Sequence, residues 1–285
     1  MEKRLSHRRS DLERVCGFSS AKFTGVNLFF TLLIGAVLFA IIYGVLLIFR
    51  DGSCIWIEMF FHGGEGKRST IPYFTVFLGC WALAMLLVKM AKLRTQQKAL
   101  QLKILPEDPN FVLTCATAKT ILDNINRLVE DPGRFILLDR INRAIENMRN
   151  VEDVSALAEC LNTQANNDDE YLSSSYTVCK GFIWAIPVLG FIGTVLGLSS
   201  AVGGFGTVVR EGGSDPARLI SELGNVTGGL SIAFETTFIA LVLALIIQLL
   251  MTAVLHREEL FLDACADYCH KNLISKARSV PVEKM

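Results

Sequence analysis

The chain has 285 residues, is 51% hydrophobic with a mean hydropathy of +0.41, and carries 28 Lys+Arg against 28 Asp+Glu. That apolar share exceeds the roughly 45–50% of soluble domains and is gathered into long runs, so a freely soluble domain is excluded and an integral membrane protein is expected. The balanced charge argues against a nucleic-acid binder, which works through a strong basic field.

Residues 1–24 form an N-terminal arm containing Lys3, Arg4, Arg8, Arg9, Arg14 and Lys22, with no pattern of a secretory signal. Gly25–Phe49 is an uninterrupted apolar run, long enough for the roughly 30 Å hydrocarbon core. Arg50–Thr70 reads as a short polar loop with Gly63, Gly64 and Gly66. Ile71–Ala91 is the second span, with Pro72 in its first turn, where a missing N–H costs little. Lys89, Lys92, Arg94 and Lys98 cluster at its far end. The positive-inside rule puts that cluster and the N-terminal arm in the cytoplasm, and the first loop outside.

Residues 92–178 are too polar to span and are expected as a cytoplasmic helical insertion. Pro106 and Pro109 close the extension of the second span. Asn110–Glu130 has helical spacing through Val112, Ala116, Ile121, Ile125 and Leu128, Asp131-Pro132-Gly133 turns the chain, and Phe135–Met148 repeats the pattern with Ile136, Leu138, Ile141 and Ile145. Asp153 is placed as an N-cap. No breaker follows before Pro187, so one rod of about 50 residues and roughly 75 Å is expected to run into the third span. Asp168-Asp169-Glu170 reads as a solvated face of that rod, and Arg127, Arg134, Arg140, Arg143, Glu146 and Arg149 as wet faces of the insertion.

Residues 179–255 hold the third and fourth spans. Between them Val208–Ser221 is expected as an outer loop turning at Gly212-Gly213, with Ser214 or Asp215 capping a helix that starts at Pro216. The fourth span runs from near Val226 to near Leu255, and 256–285 continue as a charged cytoplasmic tail. The expected fold is all-α: a polytopic membrane protein with four transmembrane helices, long helices reaching into the cytoplasm, and both termini inside.

The eight cysteines (Cys16, Cys54, Cys80, Cys115, Cys160, Cys179, Cys265 and Cys269) are scattered and form no disulfide framework. Cys265 and Cys269 stand one helical turn apart beside His270, but no second pair completes a zinc site, so no metal and no cofactor is expected. Gly203-Gly204-Phe205-Gly206 lacks the Lys-Ser/Thr of a phosphate loop, and His7, His62, His256 and His270 have no nucleophile at a useful spacing, so no enzyme is expected.

Function is sought in the last two spans. Gly190, Gly193 and Gly197, with Ala201, give the third span a small-residue face that lets helices approach closely in lipid. Thr194 borders that face, and the fourth span carries Glu235, Thr236 and Thr237. Counted inward from the outer ends at 1.5 Å per residue, Thr194 and Thr237 come within about one turn of the same plane. A carboxyl at that depth is expected to be neutralised, paired or facing water.

The run PVLGFIGTVLGL resembles the third-span pattern P-L-L-G-L-L-G-T-V-x-G of the MotA/TolQ/ExbB proton-channel family, and AFETTFIAL resembles the A-L-x-A-T-A-x-G-L pattern of the last TolQ/ExbB span. On those patterns Thr194 and Thr237 take the places of the pore threonines and Pro187 the proline heading the third-span motif. The last-span glutamate of TolQ and ExbB falls here on Ile232, and Glu235, three residues on, is the acid nearest its place. Four spans resemble MotA, whereas the motif wording is nearer TolQ/ExbB.

The resemblance implies a bacterial inner-membrane homo-oligomer, a pentamer around two copies of a single-span chain like ExbD, TolR or MotB. The partner's membrane aspartate carries the proton, this chain supplies the hydroxyl-lined wall, and proton flow (in some members sodium) is turned into work. The ion pathway is then Thr194, Thr236, Thr237 and Glu235, with Pro187, Gly190, Gly193 and Gly197 shaping the packing. The alternatives are a flagellar-type stator, a transporter with its own substrate site, which would show internal repeats, and a non-conducting scaffold whose threonines only pack.

Overall fold

Runs apolar on every side give helices that bury little against their own chain, whereas runs apolar on one side pack into a core. Both kinds occur in this protein. The structure, a computed structural model, describes residues 11–49, 60, 70–102, 104, 113, 115–151, 154–210 and 216–277. The basic residues before position 11, the first loop apart from residues 60 and 70, Pro106, Pro109, the Asp153 cap and the Gly212-Gly213 turn with Ser214 and Asp215 lie outside the described residues.

The helices are α1 (Leu12–Val15), α2 (Leu28–Ile48), α3 (Ile71–Leu100), α4 (Cys115–Leu128), α5 (Ile136–Val151), α6 (Val154–Ser175), α7 (Thr177–Arg210) and α8 (Pro216–Cys269). A 3₁₀ turn at Pro132–Arg134 precedes α5 and a π turn at His270–Ile274 follows α8. Among the described residues there is no strand, and only an isolated parallel bridge joins Leu113 to Ala277. The fold is all-α, and four helices are long and apolar enough to cross a membrane, as expected from the sequence.

The chain divides into two units, which are described separately. One, here the polar unit, holds residues 1–30, 87–177 and 253–285. Its core is the apolar stripe of the insertion: Ile121 and Ile125 of α4, and Ile136, Leu137, Leu138, Ile141, Ala144 and Ile145 of α5 are all buried. Gln96 sets the entry to α5, donating to the Arg134 carbonyl at 2.8 Å and accepting from the Ile136 N–H at 3.1 Å. It thereby satisfies one of the free donors that every helix start leaves. Asn27 does the same for α2, accepting from the Phe29 N–H at 3.0 Å.

The other, here the apolar unit, holds residues 31–86 and 178–252. Its helices meet through small residues and aromatic rings. A Cβ on Gly35 would come within 2.8 Å of the Trp81 backbone, and one on Gly79 within 2.5 Å of Leu243. Tyr43, Val76, Cys80 and Ile239 form a buried cluster flanked by Phe39 and Tyr73. Trp81 Nε1 donates to Thr31 Oγ1 at 3.2 Å, giving the indole its partner in apolar surroundings.

Three expectations need correction. The rod leading into the third span is interrupted: α6 stops at Ser175 and α7 starts at Thr177. At the break the Tyr176 N–H bonds the Ser173 carbonyl at 3.3 Å, a tight i→i−3 turn. The cause is tertiary, since Tyr176 is fully buried with its hydroxyl on Glu258 Oε2 at 2.7 Å, and no Pro or Gly marks the place. Secondly, α7 continues to Arg210, past the expected start of the outer loop at Val208, whereas α8 opens at Pro216 as expected. Thirdly, Arg140 and Asp168 are not wet. Arg140 is 3% exposed and its Nε donates to Asp168 Oδ2 at 2.6 Å.

Candidate functional site

The seam between α7 and α8 is built from residues without bulk. A Cβ on Gly190 would meet Ala240 Cβ at 2.6 Å and Thr237 Cα at 3.2 Å. On Gly193 it would fall on the Thr236 hydroxyl, and on Gly197 it would meet the Gly229 carbonyl at 2.9 Å and Ala233 Cβ at 3.0 Å. Ala201 in turn lies against Gly229. Only a residue without a Cβ lets the backbones come this close at Gly190, Gly193 and Gly197. Pro187 sits inside α7 without ending it. Such a proline is tolerated in a membrane helix where neighbours supply the missing bond.

These contacts fix an antiparallel register. In it Gly190 faces Thr237, Gly193 faces Thr236 and Gly197 faces Ala233. Thr194, one residue past Gly193, and Thr237, one residue past Thr236, then stand about 3 Å apart along the axis. The Thr237 hydroxyl reaches the Gly190 carbonyl at 3.0 Å, with the Ala233 carbonyl at 3.3 Å. Thr194 donates to the Phe191 carbonyl at 2.6 Å and is partly exposed. The two hydroxyls therefore border one stretch of the same seam.

Thr236 and Glu235 are placed differently. Thr236 is 3% exposed, inside the seam against Gly193, with its hydroxyl on the Ala233 carbonyl at 3.0 Å. Glu235 precedes Thr237 by two residues, about 200° round the helix, and its carboxylate accepts from Ser231 Oγ at 2.9 Å. The register thus sets Thr194 and Thr237 at a similar level of the seam, and Glu235 on another face with Ser231, a partner one turn back that the sequence reading passed over.

A threonine hydroxyl donates once and accepts through two lone pairs. With its proton on a helix carbonyl, each of these oxygens can still accept a bond from water or from a protonated carboxyl. Neither can itself titrate, so the seam can line a path for a proton but not carry one. Among the described residues no group of three or more His, Cys, Asp or Glu is arranged to hold a metal.

The family model for the MotA/TolQ/ExbB proton channel family matches residues 133–260, which include α5, α6, α7 and most of α8. Residues 133–260 belong to the MotA/TolQ/ExbB family. No curated protein and no solved structure matches the chain. The MotA/TolQ/ExbB segment contains all the seam residues and reaches into the polar unit, where a second polar cluster lies that sequence reading missed. Lys89 Nζ is 3.4 Å from Glu258 Oε2 and 2.8 Å from Ser175 Oγ, and sits 4.1 Å from the centre of the Tyr176 ring. Lys92 Nζ is held by Glu13 Oε2 and the Gly25 carbonyl, both at 2.6 Å. The only sequence signal was a pair of lysines closing an apolar run; their partners are up to 169 residues away.

Proposed function

We propose that this chain is the channel-wall subunit of an ion-driven motor in the bacterial inner membrane. Five copies surround two copies of a single-span partner whose membrane carboxyl takes up and releases the proton. Thr194 and Thr237 accept hydrogen bonds from that carboxyl or from intervening water, and the work is delivered to envelope or transport machinery. Both termini and the polar unit lie in the cytoplasm in this reading. The observation that carries it is that the family match spans both seam helices, whose two hydroxyls border one stretch of the seam with lone pairs to spare. Trp184, Phe191, Phe234 and Leu241 are large apolar side chains left exposed on the same helices, as a wall buried among copies, partner and lipid requires.

Glu235, bonded to Ser231, acts on the local field and does not relay the proton. The transmembrane potential supplies about 2.3 kcal/mol per charge per 100 mV.

The test is proton flux into vesicles holding the complex with its single-span partner, for Thr194→Val, Thr237→Val and the double variant. Each change keeps the shape and removes the oxygen. Flux is expected to fall at least tenfold in either single variant while co-purification of the partner persists. Unchanged flux in both would favour the non-conducting scaffold, the reading consistent with hydroxyls already bonded to helix carbonyls.

A further inference from the structure

The polar unit contains a cleft of about 170 Å³ to which α5 contributes Asp139, Arg140 and Arg143, α6 contributes Gln164 and Asp168, and the N-terminal segment contributes Lys22. Its floor is unusual. Arg140 is 97% buried by its 3% exposure, and one guanidinium nitrogen, Nη2, has no hydrogen-bond partner among the described residues. Gln164 Oε1 is likewise buried without a partner. An unsatisfied buried group costs about 1–3 kcal/mol, more when charged. The cleft therefore carries two unmet demands of opposite sense, one for an acceptor and one for a donor.

Its mouth is cationic. Lys22 and Arg143 have roughly half-exposed side chains and share Asp139, at 3.9 Å and 3.1 Å. Arg140 is matched by Asp168 at 2.6 Å. Three cations against two carboxylates leave one positive charge for an occupant to meet.

We propose that this cleft binds a protonated phosphate group, as free phosphate or a small phosphomonoester. A monoanionic phosphate has bare oxygens to accept from Arg140 Nη2 and Arg143, and a P–OH to donate to Gln164 Oε1. Carboxylates and sulfate are fully deprotonated near neutral pH and offer only acceptors, so they meet one demand and leave the other. The volume admits the phosphate and a few further heavy atoms. Both floor atoms are covered by neighbouring side chains, so binding begins at Lys22 and Arg143 and displaces side chains inward.

The experiment measures thermal unfolding and titration calorimetry of the full chain in detergent, with inorganic phosphate, glycerol phosphate, sulfate and chloride at matched ionic strength. Phosphate is expected to raise the unfolding temperature saturably and to bind at least tenfold tighter than sulfate. Gln164→Leu, which removes the acceptor, should erase that preference. Arg143→Gln should weaken phosphate about tenfold, one charged hydrogen bond's worth. Tighter binding of glycerol phosphate than of phosphate supports the ester as occupant. Equal responses to phosphate and sulfate, no saturable phosphate response (an enclosed water being then the occupant), or an unchanged preference in Gln164→Leu overturns the proposal. Arg140→Gln is a weaker probe, since it strands Asp168 and can fail to fold.

Discussion

The two units satisfy their buried polar groups by different means. In the apolar unit the donors are neutral, and many acceptors are local: Thr75 bonds the Ile71 carbonyl, Thr194 that of Phe191, and Thr236 that of Ala233, while Thr237 and Trp81 reach across to Gly190 and Thr31. The polar unit adds charged donors with distant partners, as with Lys89–Glu258, Lys92–Glu13 and Arg140–Asp168. Among the described residues every ion pair lies in the polar unit. A fixed charge beside a proton path would trap its cargo, because Coulomb interactions deepen in low dielectric. On the proposed function, hydroxyls bonded to helix carbonyls make a shallow wall past which the single-span partner can shift. Buried ion pairs do the reverse and hold helix ends in one arrangement.

The sharpest way to break this contrast is to strand a charge in the polar unit. Lys89 and Glu258 side chains are each 2% exposed, and Glu258 Oε1 has no partner beyond those on Oε2. Lys89→Met leaves the carboxylate uncompensated and is expected to cost about 3–5 kcal/mol, read as a large drop in folded yield and unfolding temperature. Lys89→Met with Glu258→Met should recover most of that loss. A single variant as stable as the parent would show that the pair does not hold the unit together.

A smaller effect is expected where the apolar unit relies on closeness. Gly193→Ala drives a methyl into the Thr236 hydroxyl and within 2.9 Å of Thr236 Cβ. Overpacking of this kind costs about 1–3 kcal/mol. Gly203, on the same helix, would meet nothing within 4 Å. There the same change should be neutral or gain up to about 1 kcal/mol through backbone entropy. Thermal unfolding of the two variants side by side sharpens the comparison; equal losses would mean helix propensity, and not the seam, sets the response.

Much of this was legible in the sequence because membrane spans are a one-dimensional signal: length, apolarity and small-residue spacing gave four helices and the glycine face. The seam's register was not: glycines three and four apart mark a face but do not say which residues of the other helix lie opposite. What was not legible is pairing at a distance. Lys89 and Lys92 read as half of a flanking basic cluster, yet they are buried partners of Glu258 and Glu13. Tyr176 interrupts a helix with no local breaker because its acceptor is on α8. Asp168 looked like part of a solvated acidic patch; burial raises its carboxyl above the usual range, against the opposing pull of Arg140. Glu235, read as part of the pathway from its depth and from its nearness to the place of the family's last-span glutamate, is bonded to Ser231, a pairing that its position alone does not give.

The mildest prediction probes how tightly the polar unit is closed, through two thiols on α8 beyond the apolar run. Burial pushes Cys265 up to about 12 and Cys269 up to about 11, with nearby Arg140 pulling both down by less. The folded state therefore keeps these protons after the unfolded chain has lost them. Stability that is complete below the ordinary thiol range must fall as the pH rises through it toward about 11 and then 12. Alkylation by iodoacetamide, followed peptide by peptide, should mark exposed Cys16 quickly at pH 8 and leave Cys265 and Cys269 unreacted until the unit opens. Because the reactive species is the thiolate, their labelling should track global unfolding in denaturant and not the pH alone. Rapid labelling of either at pH 8 in the folded protein would mean that the α8 face against Arg140 opens locally, and the ion pairs would then hold less of the unit than their burial implies.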